Sequence, residues 1–185
     1  MQKTIQIPMQ GEKIILRPFR TEDAEPLWES MDHAEFNKLT GTQGTFTREM
    51  IDKYIARQVA NDDDSRAPFI IALPDDSKAL DEVIINEIDS DNNSASIRIG
   101  MFTDEGVGKG YGTEAMRLMV NYGFNQLGLH RIELSVYAFN PRAIRAYEKV
   151  GFKREGVMRD ALLWDGEYVD SISMSILDHE WTGLD

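Results

Sequence analysis

Apolar residues recur along this chain with two different periods, and each period predicts one kind of element. Alternation of apolar and polar residues, or a short apolar run between turn residues, predicts a β-strand. Seven segments fit: residues 13–19, 69–73, 83–88, 96–101, 131–138, 157–164 and 168–176. Apolar residues spaced three and four apart, together with capping residues, predict helices. These are residues 22–31, 48–60, 113–127 and 141–150.

Residues with capping chemistry mark where several of these helices begin or end. Thr21 and Thr47 are predicted N-caps, because a threonine hydroxyl accepts a hydrogen bond from a free N–H of the first helical turn. Asn140 is the predicted N-cap of the last helix, with Pro141 at its first position and Gly151 at its end. The last helix is therefore delimited on both sides.

Polar segments predict the connections. Residues 37–45 are rich in Thr and Gly and are predicted to form a loop. Residues 89–93 resemble the start of a calcium loop, but Ser94 and Gly100 stand where such a loop needs Gly and Glu, so a hairpin turn is predicted instead. Residues 165–166, Asp-Gly, predict a two-residue hairpin between the last two strands.

Composition narrows the function classes. The 185 residues suffice for one domain of ordinary size, and 42% hydrophobic with 28% charged residues is typical of a soluble globular protein. The length and the absence of a repeat or linker predict one domain over residues 1–185. The absence of a long apolar segment and of a signal-peptide pattern predicts a cytoplasmic location. The chain has no cysteine, which excludes disulfides and a cysteine nucleophile. Its three histidines lack ligand spacing, so no metal site is predicted.

The formal net charge of −12 argues against a nucleic-acid surface, and the lack of a long apolar segment argues against a membrane partner. It mildly favours a cationic substrate, although a merely solubilising surface explains the same charge. Charge alone leaves both interpretations open.

A glycine-rich stretch precedes the longest predicted helix. Gly108, Gly110 and Gly112 alternate around Lys109, and the free N–H groups of the helix start favour an anion such as a pyrophosphate. A nucleotide-hydrolase phosphate loop is excluded because Lys109 is followed by glycine rather than Ser or Thr. A dinucleotide fingerprint is excluded because its sixth position is Thr113. A pyrophosphate cradle and a purely structural glycine turn remain.

Two motifs resemble a known family. Residues 108–115, Gly-Lys-Gly-Tyr-Gly-Thr-Glu-Ala, resemble the acetyl-coenzyme A signature loop of the GNAT acetyltransferases, with Val107 where Arg or Gln is usual. Residues 140–152, Asn-Pro-x-Ala-Ile-x-x-Tyr-Glu-Lys-x-Gly-Phe, resemble the second GNAT motif and follow the first in the expected order. The ending at residues 178–181 is similar to that of the ribosomal-protein (RimJ/RimL-like) and spermidine acetyltransferase branches.

This resemblance implies an α/β (α+β) fold with a mixed, mostly antiparallel central sheet that is splayed in the middle and flanked by helices. It implies an N-acetyltransferase, an acyltransferase that takes the acetyl group from acetyl-CoA and moves it to a primary amine by direct attack in a ternary complex. The implied acceptor is a polyamine or other small amine, or the N-terminus of a basic peptide or protein. A homodimer is expected at the level of the family only.

The resemblance also assigns roles to individual residues. Backbone groups of one segment are expected to bond the pantetheine arm of the coenzyme: Met101, Phe102 and Thr103. The glycine loop is expected to hold the pyrophosphate: Gly108, Lys109, Gly110, Tyr111, Gly112 and Thr113. Asn140 is expected to contact the coenzyme arm, and Arg145 and Arg142 either meet its phosphates or face solvent.

Tyr147 matches the family tyrosine that protonates the coenzyme thiolate, although it is also placed to be a core residue. The family's usual glutamate is replaced by Ser96 or Ile97. Glu87 could take the ammonium proton through a water, with Glu133 as a second candidate, and a chain of waters could suffice. The alternative for each glutamate is a surface-facing strand residue without a chemical role. The alternative to an enzyme is a non-catalytic acyl-CoA-binding regulatory protein that kept the loop and lost the glutamate.

Overall fold

The structure is a computed structural model that describes residues 7–31, 34–76, 78–100 and 108–184. These residues form an eight-stranded sheet and five α-helices. The strands, β1 to β8 in chain order, are Met9–Gln10, Ile15–Arg17, Ala67–Ala72, Ala79–Asp89, Ser94–Ile99, Arg131–Tyr137, Lys153–Trp164 and Glu167–Leu177. The helices, α1 to α5, are Ala24–Ser30, Ala34–Thr40, Arg48–Ala60, Tyr111–Asn125 and Pro141–Val150.

The sheet has the order β1-β2-β3-β4-β5-β6-β8-β7, and all neighbours are antiparallel except β5 and β6. These two parallel strands pair only from Ser94 with Arg131 to Ser96 with Glu133. Beyond that register the two strands share no further paired residues. The mixed, mostly antiparallel sheet with an opening in its middle is therefore confirmed.

The two faces of the sheet are covered to different extents. On one face, α4 and α5 pack through residues such as Met116, Met119 and Ile144 against apolar residues from β2 to β8. On the other face, α1 and α3 cover a smaller core around Ile55 and Ile70. Farther along this second face, β5 and β6 carry polar side chains. The polar half-face lies beside the opening in the sheet.

Each predicted strand is present, and β1 is an additional short strand. The strand predicted at 96–101 is observed at Ser94–Ile99, and residue 101 lies outside the described residues. The helix predicted at 113–127 begins two residues earlier, at Tyr111, because Gly110 rather than Gly112 is the left-handed residue before it. No helix in the described ranges is long and apolar enough to cross a membrane.

The loop predicted at 37–45 is wrong in its first half, because α2 extends through Thr40. The Asn37 side-chain amide donates to the Met31 carbonyl oxygen at 2.9 Å and ties α2 to the end of the preceding helical segment. A tertiary contact thus stabilises α2, which the local sequence pattern does not predict.

The predicted N-cap at Thr21 is also wrong. Thr21 is itself the first residue of a 3₁₀ turn, and the Asp23 carboxylate accepts the Arg20 N–H at 2.7 Å. Asp23 is held there by Arg17, whose guanidinium donates to both carboxylate oxygens at 2.9 and 2.7 Å and to Asp76 at 2.6 Å. Because Arg17 and Asp23 are both buried, this ion pair sets how the chain leaves β2.

The predicted cap at Thr47 is confirmed, since its hydroxyl accepts the Met50 N–H at 3.3 Å. Thr47→Ala is expected to lower the free energy of unfolding by about 1 kcal/mol, because an N–H of the first turn loses its partner. Urea titration followed by circular dichroism measures this loss. Thr45→Ala, an exposed threonine in the preceding loop, is the matched control. An equal effect of the two substitutions would contradict the capping role.

Candidate active site

A cleft of about 900 Å³ lies where β5 and β6 part. Its walls come from both faces of the sheet: the start of α4 and the length of α5 on one side, and α2 with polar residues of β4, β5 and β6 on the other. The cleft therefore passes through the opening in the sheet. Its volume is near the upper end of the range typical of ligand sites, and it includes the point where the strands separate.

The glycine loop forms one end of the cleft. Gly108 and Gly110 have φ of 79° and 87°, the left-handed region that favours glycine, and the Gly110 carbonyl accepts the Glu114 N–H at 3.0 Å in the first turn of α4. A Cβ added at Gly108 would meet no described atom within 4 Å. The helix start thus has backbone N–H groups beside an open cradle, which fits a pyrophosphate.

Four of the predicted coenzyme-binding residues of this loop line the cleft: Gly108, Gly110, Gly112 and Thr113. Lys109 and Tyr111 are not among the described lining residues; the Lys109 ammonium lies 5.9 Å from the centre of the Tyr111 ring. Met101, Phe102 and Thr103 lie outside the described residues.

The position of the loop is supported from the opposite side of α4. The Glu114 carboxylate accepts the backbone N–H groups of Glu12 and Lys13, in the turn between β1 and β2. The Lys13 ammonium donates to the Lys109 carbonyl at 3.4 Å. These contacts, between residues about a hundred positions apart, hold the first turn of α4 against the sheet edge.

Helix α5 forms the adjoining wall. As predicted, Asn140 caps it, since its Oδ1 accepts the Ala143 N–H at 3.1 Å, and Gly151 ends it with φ of 115°. Arg142, Arg145 and Lys149 line the cleft from this helix. They recur at intervals of three and four, so they share a helix face. This row of cations, next to the glycine loop, fits the phosphates of coenzyme A; Lys149 was not among the residues predicted from sequence.

Tyr147 also lines the cleft, half-buried, with its ring centre 6.2 Å from that of Phe152. Burial and the nearby negative charge of Asp81 raise the pKa of the Tyr147 phenol to about 12. The phenol is therefore protonated at neutral pH and can act as a proton donor. The structure places Tyr147 both at the cleft and against the core, so packing does not exclude the chemical role.

The two candidate bases lie at the point where β5 and β6 separate. Glu87 sits in a β-bulge with φ of 52°, lines the cleft and accepts a hydrogen bond from the Ser96 hydroxyl at 3.0 Å. Glu133 stands opposite Ser96 in the sheet, but Arg131 pairs with it at 2.8 Å. Because an ion pair already engages Glu133, Glu87 is the better placed proton acceptor.

Sequence reasoning missed a polar cluster in which the buried Glu82 contacts Tyr54 and the exposed Arg98. The Tyr54 hydroxyl lies 2.8 and 2.7 Å from the two Glu82 oxygens, and Arg98 donates to Glu82 at 2.6 Å. Burial raises the pKa of Glu82, although Arg98 and Tyr54 act in the opposite direction, and it raises the pKa of Tyr54. Glu82 and Arg98 line the cleft.

A signal for this cluster existed in the sequence. The consecutive acidic residues Asp81 and Glu82 stand directly before the apolar run 83–85, where the predicted strand was begun too late. In the observed β4, successive side chains alternate between the two faces. Asp81 is near enough to Tyr147 to raise its pKa, and Glu82 contacts α3 through Tyr54.

Comparisons with known proteins identify the family of this chain. The family model described as "Acetyltransferase (GNAT) domain" matches residues 13–153. The probable N-acetyltransferase YjcK of Bacillus subtilis is 32% identical over 176 residues, covering 92% of this chain and 97% of YjcK. Spermidine N(1)-acetyltransferase of Escherichia coli is 32% identical over 119 residues, covering 64% of this chain and 62% of that enzyme.

Solved structures show the same fold. Spermidine N-acetyltransferase of Vibrio cholerae, solved with CoA and spermine, has a TM-score of 0.82 at 22% identity and covers 92% of this chain and 98% of its own. A GNAT-family acetyltransferase of Bacillus anthracis has a TM-score of 0.81 at 22% identity, with coverage of 94% and 100%. Because the family model spans well over half of the sequence, this chain belongs to the GNAT family of N-acetyltransferases, enzymes that use acetyl-CoA as the acetyl donor.

Proposed function

We propose that this protein transfers the acetyl group of acetyl-CoA directly to a primary amine while both substrates are bound. The observation that carries this proposal is the path of the cleft. It runs from the glycine loop and α5 on one face of the sheet to Glu87 and α2 on the other. Donor and acceptor can therefore approach from opposite faces, which is the arrangement that direct attack needs.

The donor end has the groups that coenzyme A requires. Backbone N–H groups of residues 108–113 would hold the pyrophosphate at the start of α4, and Arg145 with Arg142 and Lys149 would meet phosphate oxygens. Asn140 lines the same wall, and Met101, Phe102 and Thr103 are proposed to bond the pantetheine arm. Bound acetyl-CoA supplies a thioester whose thiolate leaves during transfer.

The chain's own residues would move two protons. Glu87 would accept a proton from the acceptor ammonium through a water, which leaves a neutral amine with a free electron pair. Tyr147 would hold a proton on its phenol oxygen and donate it to the departing sulfur. Its raised pKa keeps that proton in place at neutral pH. The acid and the base would thus act at different walls of one cleft.

The acceptor is proposed to be a polyamine or a peptide or protein N-terminus. Support comes from relatives named spermidine N(1)-acetyltransferase and from the putative ribosomal N-acetyltransferase YdaF of Bacillus subtilis, 32% identical over 101 residues and 55% of each chain. The net charge of −12 mildly favours cationic acceptors. We further propose one domain over residues 1–185, a cytoplasmic location and, from the family alone, a homodimer.

Release of the CoA thiol across spermidine, N-terminal peptides and lysine peptides tests the activity. Glu87→Gln is expected to lower kcat/KM about tenfold at neutral pH, since a positioned base contributes at least that much. The deficit should shrink as pH rises, because a growing fraction of the amine is already neutral. Glu167→Gln, at an exposed position at the start of β8, is the matched control. Silence with every acceptor, while CoA binds by calorimetry, would contradict the transferase and favour a binding protein.

A further inference from the structure

A second groove, of about 580 Å³, adjoins the acceptor end of the cleft. The two share Glu87, Ser96 and Arg98 as lining residues, so a molecule in the cleft can extend into the groove. The groove also contains Arg57 and Arg66. We refer to it as the arginine groove, defined by Arg57, Arg66 and Arg98. Three guanidinium groups in one groove are unexpected beside the amine site of an acidic protein.

Two of the three arginines already have carboxylate partners. Arg57 pairs with Asp63 at 3.1 Å, and Arg98 pairs with Glu82 at 2.6 Å. Arg66 instead donates through Nε to the neutral amide oxygen of Asn86 at 3.0 Å. Its charge helps to lower the pKa of Glu82, but no carboxylate in the described parts of the chain forms an ion pair with Arg66.

Glu87 is an anion of the groove that, like Arg66, has no described ion pair. Its described contact in the groove is the hydroxyl of Ser96, which is a neutral donor. The groove therefore presents one cation, Arg66, and one anion, Glu87, that are not engaged in described ion pairs. Asn86 connects them, because it precedes Glu87 in β4 and accepts from Arg66. The two charges consequently lie near each other along one wall.

Arg98 can reinforce the cationic end. Its bonds to Glu82 and to the Tyr54 hydroxyl both use Nη2, and its side chain is 58% exposed. In the described part of the chain, the Nε and Nη1 donors of Arg98 thus stay available for a ligand. The buried Glu82 fixes the guanidinium in place, which reduces the entropy lost when a ligand binds.

From this pairing of charges we infer that the acceptor is a primary amine that also carries a carboxylate. The inference rests on the acetyl transfer proposed above. The ammonium would face Glu87 and Ser96, and the carboxylate would bind Arg66 and the exposed donors of Arg98, because guanidinium groups match carboxylates in shape and charge. This narrows the acceptors proposed above to those that carry a carboxylate, because a polyamine would bring a second cation against Arg66.

The net charge of the protein does not oppose this assignment. Interactions between exposed charges are largely screened beyond about 8 Å at physiological ionic strength. Selection of the acceptor in the groove therefore depends on the nearest side chains, which include the Arg66 guanidinium. A primary amine close to a carboxylate occurs both in free amino acids and in peptides with an acidic residue near the N-terminus. These two kinds of acceptor can be compared directly.

The test compares acceptors in pairs whose members differ by the replacement of one carboxylate with an amide. One pair is free lysine and lysinamide; the other is the peptide amides Ala-Glu-Ala and Ala-Gln-Ala. If the acceptor is of the kind that a pair represents, the compound with the carboxylate is expected to have a kcat/KM at least tenfold higher than its amide counterpart. Arg66→Met should raise KM for that member about tenfold with little change in kcat, and should leave its uncharged partner unaffected. Arg66→Lys should restore part of the difference.

Lys53→Gln is the matched control, since Lys53 is an exposed cation of α3 that pairs with Glu49 outside the groove. Binding of the same pairs to the complex of the protein with CoA, measured by calorimetry, provides a readout that needs no turnover. Equal binding of both members of each pair would overturn the inference. If both members of a pair were acetylated equally well, acetyl transfer would stand and only the acceptor assignment would be refuted. If the carboxylate compounds bound selectively but were not acetylated, only the transfer would be refuted.

Discussion

Tyr147→Phe is expected to lower kcat about 100- to 1,000-fold, because general acid catalysis contributes 10²- to 10⁴-fold to typical enzymes. The phenol lies in the cleft, and its pKa of about 12 keeps the proton on the oxygen at neutral pH. Without that proton the thiolate must leave unprotonated or take a proton from water. Steady-state kinetics with a saturating acceptor measures the loss.

The same substitution separates the acid role from a packing role. Phenylalanine keeps the aromatic ring that faces Phe152, so the free energy of unfolding and the affinity for CoA should change little. Tyr168→Phe removes a hydroxyl from a residue that is 66% exposed, and it should have no effect on kcat. If Tyr147→Phe turned over as fast as the unchanged protein, Tyr147 would be a core residue that borders the cleft.

Gly110→Val is expected to weaken CoA binding about 100-fold or more. Gly110 has φ of 87° and immediately precedes α4, so a branched side chain there both strains the backbone and stands where the pyrophosphate approaches. Loss of two charge-assisted hydrogen bonds, each contributing about 1.5 to 3 kcal/mol, is sufficient for an effect of this size. Calorimetric titration with CoA measures it.

Gly128→Val controls for the strain. Gly128 follows α4 with φ of 66°, and a Cβ there would meet nothing within 4 Å, while a Cβ at Gly110 would meet only the Lys13 ammonium at 3.5 Å among the described atoms. Both variants should therefore lose about 1 to 3 kcal/mol of stability. Only Gly110→Val should lose CoA affinity. Equal affinity in the two variants would mean that the pyrophosphate is not held by residues 108–113.

Helix α5 was predicted correctly from its capping residue and its terminal glycine. Asn140 and Gly151 delimit α5 as predicted, because a cap acts through a bond to a residue three positions away and a left-handed glycine acts at its own position. Helix α2 was missed because its support, the bond from Asn37 to the Met31 carbonyl, follows from how the chain is folded. The cap predicted at Thr21 was wrong because Arg17 and Asp23 form a buried pair that no local rule describes.

The same division applies to the cleft. Gly110 and Tyr147 were identified because each belongs to a short motif whose chemistry depends on neighbouring residues. Tyr54 and Glu82 are 28 positions apart, and Tyr54 and Arg98 are 44 apart, so their cluster exists only after α3 packs on the sheet. The arginine groove likewise joins side chains from α3, the loop after it, β4 and β5.

The sequence by itself thus determined the alternating strands and helices, the glycine loop at a helix start, the capped α5 with its tyrosine, and the family. Hydrophobic periodicity, helix capping and the backbone freedom of glycine each involve residues that are close in the sequence, so the sequence alone reveals them. Only the tertiary structure decided where β5 and β6 part, that Glu87 meets Ser96 there, and which arginine of the groove is left without a described ion pair. Register, burial and charge pairing depend on residues far apart in the chain, and folding is what brings them together.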